Sequence, residues 1–194
     1  MPTAIFLKSA AIPNDFPADE GREVAFVGRS NSGKSTAVNI LTGTKKLARV
    51  SKTPGRTQLL NFFSFGEGRR LVDLPGYGFA RVAPDVQARW RRSLEAYLSE
   101  RSSLVGLVVT MDIRRGVTQL DDTLLRWLEP REVPVAVLWT KADKLSRSAA
   151  IQQERELRKQ LGSAVRATRF SALTGDGVAT AQAWLEDWLE PPQK

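Results

Sequence analysis

The 194 residues carry 29 lysines and arginines against 21 aspartates and glutamates, a formal charge of +8, and they include no cysteine and no histidine. Disulfide frameworks, thiolate catalysis, cysteine-bound zinc, imidazole bases and imidazole metal ligands are therefore excluded, and a reducing cytoplasm is the expected setting. At 42% hydrophobic the chain has enough apolar material for a core without staples, and its basic balance favours a polyanionic partner such as RNA or a membrane surface.

In chain order, Met1–Asp15 has no apolar run or small-residue cleavage pattern, so it does not read as a signal peptide. The first strand candidate is Glu23–Val27, followed by a helix over Lys34–Leu41. Leu59–Phe65 and Arg70–Asp73 read as strands joined by a hairpin turn at Gly66-Glu67-Gly68, which makes one strand antiparallel. A helix over Asp85–Arg101 places Val86, Trp90, Leu94, Tyr97 and Leu98 on one face. Strand Val105–Met111, helix Gln119–Leu128, strand Pro134–Trp139, helix Ser148–Leu161, strand Val165–Phe170 and helix Gly177–Leu189 complete the series. The tryptophans read as core packing, and the apolar runs are too short to span a bilayer. Alternating strands and helices predict a doubly wound α/β fold with a mostly parallel sheet. The expected organisation is a single, monomeric domain over 1–194, with a core of about 22–190 and a short N-terminal extension over 1–21.

Four motifs carry chemistry. Gly28-Arg29-Ser30-Asn31-Ser32-Gly33-Lys34-Ser35, followed by Thr36, lies between a strand and a helix. Glycines let backbone N–H groups close on phosphates, Lys34 reaches the β- and γ-phosphates, and Ser35 offers Mg²⁺ a hydroxyl. Asp73-Leu74-Pro75-Gly76 ends another strand about 40 residues later, the separation that phosphate-loop enzymes use. Asp73 suits Mg²⁺ through a water, and Gly76 can donate its N–H to the γ-phosphate. In Thr140-Lys141-Ala142-Asp143, the carboxylate of Asp143 can accept from both the ring N–H and the amino group of guanine, a donor pair adenine lacks. Lys141 can lay its stem over the base. Ser171-Ala172-Leu173 could give a backbone N–H to the guanine carbonyl. Between the first two motifs, the loop-like stretch Thr42–Arg56 reads as a switch, with Gly55 and Arg56 beside the nucleotide and Thr57 as second Mg²⁺ hydroxyl. A phosphotransferase or a self-assembling nucleotide-binding protein of the septum remains an alternative at this point.

The chain resembles the EngB (YihA/YsxC) group of bacterial GTPases, related to Era. The likeness rests on Gly28–Ser35, Thr53-Pro-Gly-Arg-Thr-Gln58 with Asn61-Phe62-Phe63, Asp73-Leu-Pro-Gly-Tyr-Gly78 and Thr140-Lys-Ala-Asp-Lys144. It implies a P-loop GTPase (Ras-like) three-layer sandwich that binds GTP or GDP with Mg²⁺. It also implies a role in assembling the large ribosomal subunit, on ribosomal RNA, with linked effects on cell division and septation. Lys34, Thr57, Gly76 and Asn31 are the candidates for catalysis, and Asn31 matches an asparagine that potassium-activated relatives use, so K⁺ is a candidate cofactor. Tyr77 stands where Ras-like GTPases place a water-orienting glutamine, which predicts slow intrinsic hydrolysis. Thr140 stands where many GTPases carry asparagine, and the EngB pattern itself carries threonine there. Lys45, Lys46, Arg49, Lys52 and Arg56, with Arg89, Arg91 and Arg92, put basic charge on the expected switch elements.

Overall fold

Strand β2 (Arg22–Gly28) sets the plan of the molecule. Val24 and Phe26 belong to one core cluster, Ala25 and Val27 to the other, and all four are fully buried. A strand apolar on both faces needs helices on both. In the computed structural model, residues 3–44, 47–48, 59–77, 84–126 and 131–191 are described, with the side chains of 84–87, 89 and 90 outside that description.

Among the described residues a seven-stranded sheet runs in the order β1-β3-β4-β2-β5-β6-β7. The other strands are β1 (Ile5–Ala10), β3 (Leu60–Ser64), β4 (Arg69–Asp73), β5 (Leu104–Asp112), β6 (Val135–Thr140) and β7 (Arg166–Arg169). The pairs β1–β3 and β3–β4 are antiparallel and all others parallel, so β3 alone opposes its neighbours. Helices α1 (Lys34–Leu41) and α5 (Val178–Leu189) pack on one face, where Val38, Leu41, Leu185 and Trp188 meet Phe26, Val108 and Leu138. Helices α2 (Pro84–Glu100), α3 (Gln119–Arg126) and α4 (Arg147–Arg158) cover the other, where Leu94, Leu124 and Leu157 join Val27, Val109 and Trp139. The result is the expected three-layer sandwich. Each large apolar side chain buried this way contributes about 1.5–3 kcal/mol.

Strand β1 is absent from the sequence-based elements. Its apolar residues are consecutive, not alternating, and Ile5, Phe6 and Leu7 remain 65%, 54% and 48% exposed. A register shift between Phe6 and Lys8 further breaks the two-residue period that reveals a strand. Two helices start a residue earlier than the sequence suggests. Helix α2 begins at Pro84, a favourable first helical residue, and α4 begins at Arg147, where the Ser146 hydroxyl accepts from the Ala149 N–H at 3.3 Å. The expected continuation of α3 to Leu128 lies partly outside the described residues.

At the edge where the parallel strands begin, Glu23 is fully buried and held from three sides. Arg70 donates to its Oε1 at 2.7 Å, Arg101 donates to Oε1 at 2.8 Å and Oε2 at 3.0 Å, and the Tyr97 hydroxyl donates to Oε2 at 2.9 Å. Arg101 also reaches the carbonyls of Pro17 and Ala18, so the network ties the N-terminal segment and the end of α2 to the sheet. Burial first, then the Glu23 charge, raises the Tyr97 phenol well above its usual range, so it stays a neutral donor.

Candidate nucleotide site

The opposite edge, where β2, β4, β6 and β7 end, carries all four motifs. Open α/β sheets bind ligands there because loops and helix starts converge at the carboxyl ends of the strands. After β2, the loop passes through two left-handed residues, Asn31 (φ 63°) and Gly33 (φ 91°), before α1 begins. Gly33 caps the helix and supplies no side-chain hydrogen bond. The opening amides of α1, from Lys34 to Thr36, therefore carry their donors and the positive end of the helix dipole to an anion. Gly28 cannot be larger: a Cβ there would lie 2.2 Å from Thr110 Oγ1 and 2.7 Å from the Thr110 carbonyl.

Lys34 forms an ion pair with Asp73 at the end of β4, both side chains being about one-tenth exposed. An ammonium has three donors, so Lys34 can hold Asp73 and a phosphate oxygen together. Ser35 is the second residue of α1, directly after Lys34. A serine hydroxyl and an aspartate carboxylate are hard oxygen donors, the chemistry Mg²⁺ selects. The third expected Mg²⁺ ligand, Thr57, lies with Gly55 and Arg56 outside the described residues.

Beyond Asp73 the chain runs back along the phosphate loop. The Tyr77 N–H donates to the Gly28 carbonyl at 3.2 Å and the Ser30 N–H to the Tyr77 carbonyl at 3.0 Å. Gly76 is held between these bonds and β4. Leu74 is fully buried and its N–H donates to Phe26, so it spaces Asp73 from Gly76 without facing a ligand, and Pro75 beside it is buried too.

The segment after β6 is bonded directly to the phosphate loop. The Thr140 hydroxyl is hydrogen-bonded to the Ser32 carbonyl and lies 3.1 Å from that of Met111. The Ser32 hydroxyl meets Thr110 at 2.7 Å. Thr140 also packs under Gly33, where an added Cβ would lie 3.4 Å from the Thr140 Cβ. A threonine thus fills the bridging place without an amide. Lys141, in left-handed backbone (φ 59°), donates to the Asn31 carbonyl at 2.6 Å and to Asp112 Oδ2 at 3.0 Å. Its stem is thereby stretched between the two loops. Asp112 is held well below the usual carboxylate range, first by the Arg114 guanidinium and then by Lys141, which outweigh its burial.

Ala142 is buried with its N–H on the Phe170 carbonyl, and Asp143 beside it is largely buried, with a side chain 12% exposed. Asp143 accepts from the Ser171 hydroxyl at 2.8 Å, and this bond leads in lowering its carboxyl below the usual range. Within the segment Ser171-Ala172-Leu173 the backbone donors are not equivalent, and that of Ser171 is already used. Its N–H donates to the Asp176 carbonyl at 3.0 Å, so it has no free amide for a base. Its hydroxyl instead orients Asp143 and accepts from Leu173 and Thr174 at 3.2 Å each. That leaves the exposed Ala172 to offer an amide. The supporting residues Thr110, Asp112 and Asp121 follow no motif spacing, and only their place at the end of β5 or the start of α3 could have drawn attention to them.

The family described as 50S ribosome-binding GTPase matches residues 23–141. A curated relative from Vibrio cholerae serotype O1, described as probable GTP-binding protein EngB, is 49% identical over 189 residues, covering 96% of this chain and 86% of the relative. Among solved structures, one described as a probable GTP-binding protein engB is similar at TM-score 0.66 and 21% identity, over 86% of this chain and 98% of that one. Era, crystallised with MgGDPNP and nucleotides 1506–1542 of 16S ribosomal RNA, is similar at TM-score 0.69 and 22% identity, over 90% of this chain and 59% of Era. At those identities the structures speak for the fold.

Proposed function

Because the chain belongs to the EngB group of the 50S ribosome-binding GTPases, we propose that it is a slow, nucleotide-controlled switch acting on the large ribosomal subunit during assembly. The observation that carries the reading is the direct bonding of the base-reading segment to the phosphate loop, Thr140 to Ser32 and Lys141 to Asn31. It makes one continuous site for a phosphate chain and a guanine.

In this reading the amides of Asn31 and Gly33 through Thr36 hold the phosphates, with Lys34 on the terminal ones. The Ala172 amide and Asp143 take the base, and Lys141 covers its face. Arg29, Ser30, Ser32, Leu74, Pro75, Ala142 and Ser171 shape the surrounding loops. Ser35 and Asp73, with Thr57, suit Mg²⁺, which when bound screens the charge that develops on the transferred phosphoryl group. Gly76 senses the terminal phosphate through its N–H. Hydrolysis is slow because Tyr77 offers no amide to orient water, and its side chain is buried with its hydroxyl on Asp121. Asn31 has an exposed side chain at the phosphate loop, the position from which it would help hold K⁺; turnover is then higher in K⁺ than in Na⁺, and equal rates remove that role.

Arg91 and Arg92 are exposed on α2. The remaining cations of the proposed RNA surface, Lys45, Lys46, Arg49, Lys52, Arg56 and Arg89, lie outside the described residues or side chains. No helix among the described residues is long and apolar enough to cross a membrane. A cytoplasmic monomer meeting ribosomal RNA is the arrangement proposed, with the effects on division and septation following from ribosome assembly. Co-sedimentation with large subunits in the GTP-analogue and GDP states tests it. Nucleotide-dependent binding that weakens steeply with salt is expected; binding indifferent to both nucleotide and salt contradicts it.

A further inference from the structure

Tyr77 follows the residue proposed to sense the terminal phosphate, yet its ring is turned inward. The side chain is 4% exposed, and its hydroxyl donates to Asp121 in the first turn of α3. Asp121 is itself 1% exposed. Its other oxygen accepts from the N–H and the hydroxyl of Thr118, each at 2.7 Å, closing the start of that helix. Burial first, then the neighbouring Asp121 charge, raises the phenol far above its usual range, so it remains a donor. The backbone of Tyr77 is meanwhile clamped to Gly28 and Ser30.

Gly76 therefore cannot shift toward a phosphate without loading a residue fixed at three points. Two of these points are on the phosphate loop and one is on α3. A buried aromatic ring is stiff, and packed interiors pass displacement on instead of absorbing it. We infer that Tyr77 is a positioning residue that couples the terminal phosphate, through Asp121, to the N-terminal turn of α3. This makes α3 a nucleotide-responsive element in addition to the expected switch Thr42–Arg56. The surface placed under nucleotide control includes Gln119 and Leu120, which are exposed, the latter by 49%. A ligand shifts such an equilibrium only through different affinities for its states, so the coupling must appear in nucleotide discrimination as well as in α3.

The inference rests on the proposed GTP site, and the experiment separates the two. Hydrogen exchange of the amides of residues 119–126 is compared with GDP and with a non-hydrolysable GTP analogue bound, in the full chain and in Tyr77→Phe. The expected result is a difference between nucleotide states in the natural chain that disappears in the variant. The variant should keep GDP affinity within about twofold and change its preference between the analogue and GDP by about fivefold or more, the lower end of ordinary coupling. Identical α3 exchange in both states of the natural chain overturns the inference, a result that needs no variant to fold. So does a difference that survives in Tyr77→Phe. Failure of the natural chain to bind GDP at all would instead strike the proposed function.

Discussion

The two edges of the sheet use polar groups in opposite ways. At the edge where strands begin, Glu23 is enclosed by Arg70, Tyr97 and Arg101, so its charge is answered within the protein. At the edge where strands end, the amides that open α1 lack a side-chain cap and Asp143 rests on a serine buttress. Buried charges that satisfy one another hold elements together. Donors left unanswered by the fold, yet rigidly aimed, bind something else. The difference lies in whether the partner is supplied by the chain or by a ligand.

That contrast can be broken by exchanging the roles. Gly28→Ala, at the ligand edge, should have the largest effect on turnover, because its Cβ would stand 2.2 Å from Thr110 Oγ1 and push the loop off β5. Displacing a site by about 1 Å is worth about a hundredfold in turnover, so single-turnover GTP hydrolysis should fall by that order. Retained hydrolysis would mean the loop is less constrained than described.

Next is Glu23→Ala at the other edge. It leaves Arg101 and Arg70 buried without their carboxylate and should lower unfolding free energy by about 3–5 kcal/mol. Measured on the folded fraction, GDP affinity should stay within about twofold; a large affinity loss would show that the two edges are not independent.

Ser171→Ala sharpens the comparison at smaller scale. It removes the hydrogen bond that orients the Asp143 carboxylate, and a bond to a charged group contributes about 1.5–3 kcal/mol, or roughly ten- to a hundredfold in GDP affinity. Stability should change little.

The smallest effect concerns Asp19, which accepts from the N–H groups of Ser102 and Ser103 at 2.9 and 2.8 Å. Burial opposes its charge, but the Ser103 and Ser102 hydrogen bonds and the Arg101 charge prevail and lower its pKa from 3.8 to about 2. A depressed carboxylate stabilises the fold above its unfolded pKa, so this contribution is complete above pH 3.8 and fades as pH falls toward 2. With the side chain 37% exposed, solvent screening keeps it below about 1 kcal/mol. Denaturation curves for the natural chain and Asp19→Asn should converge over that interval, and a constant gap would refute the assignment.

The edges also differ in legibility. The ligand edge is readable because a phosphate chain and a guanine impose fixed spacings on Gly28–Ser35, Asp73–Gly76 and Thr140–Asp143. Helix α1 has the ends its sequence predicts because the phosphate loop defines its start. Glu23 reads in sequence as one polar residue beginning an apolar strand, since its partners are 47, 74 and 78 positions away and follow no rule. Strand β1 is hidden by its unbroken apolar run and its bulge. Tyr77 illustrates both sides: its departure from glutamine is visible at once, but its bond to Asp121 requires the fold. The segment Ser171–Leu173 is expected beside the base for a backbone N–H, but the bond of the Ser171 hydroxyl to Asp143 requires the fold.

The central claim is that Asp143 makes this a guanine site. Its carboxyl titrates below the usual range, so the contact should hold throughout neutral pH. The direct measurement is titration of the natural chain and Asp143→Asn with labelled GDP, ADP and XDP. An amide donates where the carboxylate only accepts, so the variant should lose GDP affinity and gain affinity for xanthine, which carries a carbonyl in place of guanine's amino group. The natural chain should bind GDP and discriminate strongly against ADP. Equal binding of ADP and GDP, or an unchanged preference in Asp143→Asn, would contradict the account.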